Sequence, residues 1–176
     1  KVGWPMEYMP GLLQEFDIPS NKMDMVLFPH RIAPEKQVEI FRDLGKEFTD
    51  VEFVVAQDKV LTKDEYHMLL MRSKVVFSAN TQETLGIGCY EGTLVGALPM
   101  VPDRLSYSEM YLDDFKYPSE WTESWESYLE HKEEVVEFIN NLLNADLNAK
   151  CGEQESILKD EFFGGTALYN IIRGKK

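Results

Sequence analysis

Two carboxylates bracket a run of small and apolar residues at Glu83-Thr84-Leu85-Gly86-Ile87-Gly88-Cys89-Tyr90-Glu91, and two cations, Arg31 and Lys36, stand five positions apart upstream. The run reads as a polar loop turning into a buried helix that starts near Leu85. Lys74 to Ser78 before it is a short apolar strand, and Asn80-Thr81-Gln82 is the polar connection. A helix that begins at the carboxyl end of a strand points unpaired backbone N–H groups outward, and Gly86 lets an anion come close to them. Glu83 and Glu91 would repel a phosphate, so they suit sugar hydroxyls lying beside it. The chemistry that fits is recognition of a hydroxyl-bearing phosphate ester. A departing phosphate gains negative charge, and fixed cations together with helix N–H donors stabilise that charge without a metal.

Taken singly, each of these residues has a plainer explanation. Glu83 and Glu91 could be one loop carboxylate and one exposed helix carboxylate, and Arg31 and Lys36 could be solvated cations near a helix start. What argues for a site is the set of elements that would carry them. Met25 to Phe28 is a continuous apolar run of strand length ended by Pro29-His30-Arg31. Pro34 can open a helix in which Val38, Phe41, Leu44 and Phe48 recur at three- and four-residue intervals. Val51 to Ala56 supplies a second strand. Thr62 and Glu65 form a capping-box pattern in front of Tyr66, Leu69 and Leu70, and the strand at Lys74 follows. Leu98 to Val101 is a fourth strand, Ser106 to Leu112 a helical turn, and Phe115 to Tyr117 an edge strand. Trp125, Tyr128, Leu129, Val135, Val136, Ile139, Leu142 and Leu143 share one helical stripe among glutamates, which predicts a single long surface helix. Ile157 to Phe163 and Leu168 to Ile172 read as further helical pieces separated by Gly164-Gly165.

Strands alternating with helices predict an α/β fold with a doubly wound, mostly parallel sheet, and such sheets bind ligands where the winding reverses, beyond the carboxyl ends of the strands. If the first strand lies beside the third, His30-Arg31 and Asn80 to Glu83 emerge together there. With 176 residues, 44% of them hydrophobic, one domain with a sizeable core is expected. A net charge of -13 argues against a nucleic-acid face. No apolar run reaches the roughly 20 residues that a membrane span needs, and a soluble or peripheral, cytoplasmic protein is expected. Cys89 and Cys151 are far apart, and His30, His67 and His131 are scattered, so no metal site is expected. The chain opens on Lys1, which suggests a piece of a longer protein whose partner domain is missing.

Glu83 to Val101 resembles a signature of retaining glycosyltransferases with the GT-B fold, in which seven residues separate two glutamates and a small-residue helix face runs into a Pro-Val strand. His30-Arg31-Ile32-Ala33-Pro34-Glu35-Lys36 is similar to the Gly-Arg to Lys motif that follows the first strand of the same domain. The resemblance implies a Rossmann-like donor-binding domain over residues 24–145, a lead-in or interdomain linker over 1–23, and a C-terminal helical tail over 146–176 that packs on a missing N-terminal domain. It implies a hexosyltransferase-like enzyme that takes a nucleoside-diphosphate sugar as substrate, uses no cofactor, and passes the sugar with retention to an acceptor that the sequence does not name. By position, Arg31 and Lys36 would meet the diphosphate, Glu83 the transferred sugar and Glu91 the ribose. The backbone near Thr84, Leu85 and Gly86 would cradle phosphate, and Val60 would lie at the base. His30 stands where the family has Gly, Thr84 stands where it has a second Gly, and only Gln57 to Leu61 lie where it has another strand. A non-catalytic nucleotide-sugar binding module is the alternative. A dinucleotide fold ranks last, because no Gly-rich turn follows the first strand.

Overall fold

A computed structural model describes residues 22–144, 146, 148–162 and 172–174. Among the described residues five strands form one sheet in the order β2-β1-β3-β4-β5, and every pairing is parallel. The strands are β1 (Met23–Phe28), β2 (Glu52–Val55), β3 (Ser73–Phe77), β4 (Leu98–Pro102) and β5 (Lys116–Tyr117). Between and after them run α1 (Val38–Leu44), α2 (Lys63–Arg72), α3 (Ile87–Leu94), α4 (Tyr107–Met110), α5 (Trp125–Glu130), α6 (Lys132–Asn144) and α7 (Asn148–Ile157). Short 3-10 turns precede and follow α1, at Pro34–Lys36 and Gly45–Glu47. The doubly wound parallel sheet expected from the alternation is present, and of the edge expected over Phe115 to Tyr117, Lys116–Tyr117 is strand while Phe115 ends a 3-10 turn.

Period-two burial separates the two faces of the sheet. Leu27, Val76 and Val101 point to one core with α2, α3, α4 and α7, while Val26, Phe28, Val75, Phe77 and Met100 point to the other with α1, α5 and α6. Both faces are covered, as the near-continuous apolar strands require. Gly92 on α3 packs so closely on β3 that a Cβ there would lie 2.6 Å from Val76, which fixes the α3 to β3 distance. The Thr62 capping box forms in full: the Glu65 N–H donates to Thr62 Oγ1, and the Thr62 N–H donates to Glu65 Oε2.

The long stripe helix is not one helix. It breaks at His131, whose backbone leaves the helical region and whose N–H is shared between the carbonyls of Ser127 and Tyr128. Asp43 on α1 supplies the reason. Its carboxylate accepts from Tyr128 before the break, at 3.0 Å, and from Lys132 after it, at 2.7 Å. A straight helix is replaced by two that converge on one acceptor, and Leu129 is left 53% exposed. The helix expected from Leu85 begins two residues later, at Ile87. The piece expected at Ile157 is the end of α7, which starts at Asn148 and continues as a wider turn over Leu158–Phe162. Residues 1–21 of the lead-in, and Phe163 to Ile171 of the tail, lie outside the described residues. Among the described residues no helix is long and apolar enough to cross a membrane.

Candidate functional site

Because β2 lies on one side of β1 and β3 on the other, the winding reverses between β1 and β3. The connections leaving those two strands meet there. The Thr81 N–H donates to the Glu35 carbonyl at 2.9 Å, and Lys36 Nζ donates to the Gln82 carbonyl at 2.7 Å and to Glu83 Oε2 at 2.9 Å. Gln37, held at φ 53, turns its amide inward and donates to the carbonyls of Ala79 and Thr122, each at 2.6 Å. The pair formed by Lys36 and Glu83 thus closes a cross-link between two strand-to-helix connections. Arg31, Glu35, Lys36, Thr81, Gln82, Glu83, Thr84 and Leu105 line a cleft of about 530 Å³ over it.

Glu83 is held from several sides. Asn80 Nδ2 donates to Oε2 at 2.9 Å, and the Thr84 N–H donates to Oε1 at 2.9 Å. Burial would push this carboxyl up. The Lys36 ammonium and the N–H groups of Thr84 and Gly86 outweigh it and hold the group below the usual carboxylate range. Lys36 is itself buried at 7% exposure. Two of its three hydrogens serve Gln82 and Glu83.

The glycine at 86 has a different reason from the one its place at a helix start suggests. It adopts φ 62, and a Cβ there would lie 2.4 Å from the Tyr107 ring, so its bare side faces a buried tyrosine and not the cleft. Its N–H bears on Glu83. Leu85 is half-buried and packs on the core shared by α2 and α3.

The structure brings Arg31, Lys36, Glu83 and Thr84 to one cleft, with Leu85 and Gly86 beneath its floor. Arg31 is at the rim, its side chain 65% exposed and ion-paired with Glu35. Glu91 and Val60 do not line this cleft. Glu91 is buried on α3, where Tyr66 donates to its Oε2 at 3.0 Å and burial pushes its carboxyl above the usual range. Val60 stands fully in solvent on the connection after β2.

Two residues that support the cleft, Arg104 and Tyr107, have no signal in the sequence, and a third, His30, is expected at the crevice without a role. Arg104, just past β4, donates to the carbonyls of Asn80, Ala79, Ser119 and Thr122 at 2.7 to 3.0 Å and to Thr122 Oγ1 at 3.1 Å, and so fixes the loop that carries Asn80 and Glu83. Tyr107 touches that loop from below: its hydroxyl accepts from Asn80 Nδ2 and from Ser78 Oγ, both at 3.2 Å. His30 lies buried between Asn80 and Cys89, and burial lowers its imidazole to about 4, so it is neutral at pH 7. Only His30 left a trace in the sequence, as the residue occupying the family's glycine position.

No protein-family model matches the chain. Solved structures do. A point mutant of S. aureus TarM, in complex with fondaparinux, alpha-GlcNAc-glycerol and UDP, superposes with a TM-score of 0.65 at 15% identity, covering 98% of this chain and 43% of TarM. The catalytic domain of Arabidopsis thaliana starch synthase IV, bound to ADP and acarbose, gives 0.58 at 13% identity over 96% of this chain and 41% of that one. The C-terminal domain of the Francisella tularensis glycosyl transferase group 1 family protein LpcC gives 0.58 at 14% identity over 91% of this chain and 95% of that domain. The chain therefore spans less than half of the first two proteins and nearly all of the third. What they share with it is the architecture, and the fold of this chain is that of the C-terminal, Rossmann-like domain of GT-B glycosyltransferases.

Proposed function

We propose that the chain is the donor-binding half of a retaining glycosyltransferase that takes a nucleoside-diphosphate sugar. The observation that carries this reading is the meeting of Lys36 and Glu83, 47 positions apart, in the crevice where the sheet reverses its winding. In this reading the remaining hydrogen of Lys36 and the guanidinium of Arg31 face the diphosphate. As the bond to the sugar breaks, charge builds on the departing phosphate, and these cations stabilise it in place. They supply the neutralisation that a metal would otherwise provide. Glu83 accepts hydrogen bonds from hydroxyls of the transferred sugar, and its depressed pKa keeps it ionised for that role. Glu91 binds ribose after exchanging its bond to Tyr66, and Val60 covers the base. The acceptor enters from a facing N-terminal domain of the same enzyme.

The test is calorimetric titration with UDP-, ADP- and GDP-sugars. One of them binds, and Lys36→Met weakens that binding by about 10- to 100-fold, the loss expected for a charge-assisted contact. Binding that survives Lys36→Met unchanged removes the site, and no binding by any of the three removes the function.

A further inference from the structure

The two edges of the sheet are built differently. β5 is two residues long, and 3-10 turns flank it on both sides. β2 is four residues long, has no neighbour on its outer side among the described residues, carries no proline, and bears its one charge, Glu52, at its first position. Beside it, between the strand and α2, runs a groove of about 600 Å³ lined by Phe53, Val54, Leu61 and Met68 among others. Phe53 and Val54 are half-buried and Met68 is 37% exposed. An open strand beside an open apolar groove is a surface that seeks a partner.

The charges along the groove say which partner. Glu52, Asp58, Lys59 and Glu65 contribute charges around it, and Asp64, Met68 and Arg72 line it at four-residue spacing, so these three form one stripe of α2. The stripe is acidic at the end near the carboxyl terminus of β2, apolar in the middle and basic at the other end. Such a stripe is complementary to itself when reversed. From this geometry we infer that β2 and α2 form a twofold interface with a second copy of this chain.

In that pairing the two β2 strands run antiparallel about an axis through Val54. A twofold perpendicular to the sheet keeps each face of the sheet in register with itself. Val54 then meets Val54 of the second copy, and Phe53 meets Val55, pairs that favour strand association. The same axis lays the two α2 helices antiparallel on one face. Met68 meets its own counterpart at the centre, and Asp64 of each copy meets Arg72 of the other. The contact is isologous and closes at two copies.

Sedimentation equilibrium of the 176-residue chain, from about 1 µM to about 500 µM, reads the outcome. The chain as it stands dimerises within this range. Asp64→Lys alone places two lysines against two arginines, and Arg72→Glu alone places two glutamates against two aspartates, so each weakens self-association by about tenfold or more. Mixing the two variants restores a dimer, now of one copy of each, because the lysines face glutamates and the arginines face aspartates. This rescue separates an interface from any loss of helix stability, which mixing would not repair. A chain that stays monomeric throughout, or a dimer indifferent to both reversals, overturns the assignment.

Discussion

Lys36 and Arg31 carry the same charge on the same short connection, yet they occupy opposite kinds of environment. Lys36 is buried, bonded to Gln82 and Glu83, and surrounded by a loop that Asn80, Arg104 and Tyr107 hold in place. Arg31 is open to water with one ion pair to its neighbour Glu35. The inner bank of the cleft is therefore pre-organised, with its electrostatics strengthened by exclusion of water, whereas the outer bank contributes screened and adaptable contacts. A change on the inner bank should disturb folding and binding together. A change on the outer bank should alter binding slightly and folding not at all.

Three experiments sharpen that contrast, in order of expected size. Gly86→Ala forces a left-handed backbone on a residue with a Cβ and drives that Cβ into the Tyr107 ring. The two costs together are about 3 to 4 kcal/mol, read as a fall in denaturant or thermal midpoint. A stability near wild type would mean that the inner bank yields more easily than its packing implies.

The second uses acid. The imidazole of His30 sits at about 4 when folded against 6.5 when free, so the unfolded chain takes up the proton first. The contribution of keeping it neutral is fully present above about pH 6.5 and is lost as the pH falls through about 4, a change of about 3 kcal/mol. His30→Asn should flatten the stability profile over that window. The low-lying Glu83 carboxyl adds its own loss, which begins as the pH falls into the usual carboxylate range and continues below it. An unchanged slope in the variant would place the acid sensitivity elsewhere.

The smallest effects belong to the exposed positions, Arg31 at the rim and Val60 away from the cleft. Arg31→Met should weaken donor binding by about two- to fivefold, and Val60→Ser should leave stability within about 0.5 kcal/mol of wild type. A loss at Arg31 as large as that at Lys36 would erase the distinction between the two banks.

Much of this architecture could be read from the chain. Four strands, β1 to β4, stand out as short apolar runs bounded by turn residues, the edge is legible only to within a residue, and the reversal between β1 and β3 follows from placing the third strand beside the first. The start of α7 could not be read. Its residues from Ala149 to Glu153 include Gly152 and bury only Cys151, so no apolar periodicity marks it. The break at His131 was hidden for the opposite reason, since the stripe continues through it and only the distant Asp43 reveals that two helices are needed. In the site, the charged residues at motif spacing were visible. Arg104 was not, because it works on backbone carbonyls from separate loops, and a carbonyl leaves no mark in a sequence. The spatial separation of Glu91 from Glu83 was equally illegible, since eight positions on a loop and a helix fix no direction.

The cross-link between Lys36 and Glu83 also stitches together segments that reach each other only once β3 has docked beside β1. Any molecule gripped by both therefore prefers the finished fold to the open chain, and its affinity appears as a rise in melting temperature that grows with the logarithm of its concentration. Heat alone, applied to a panel of candidate sugars, would rank them before any acceptor is known.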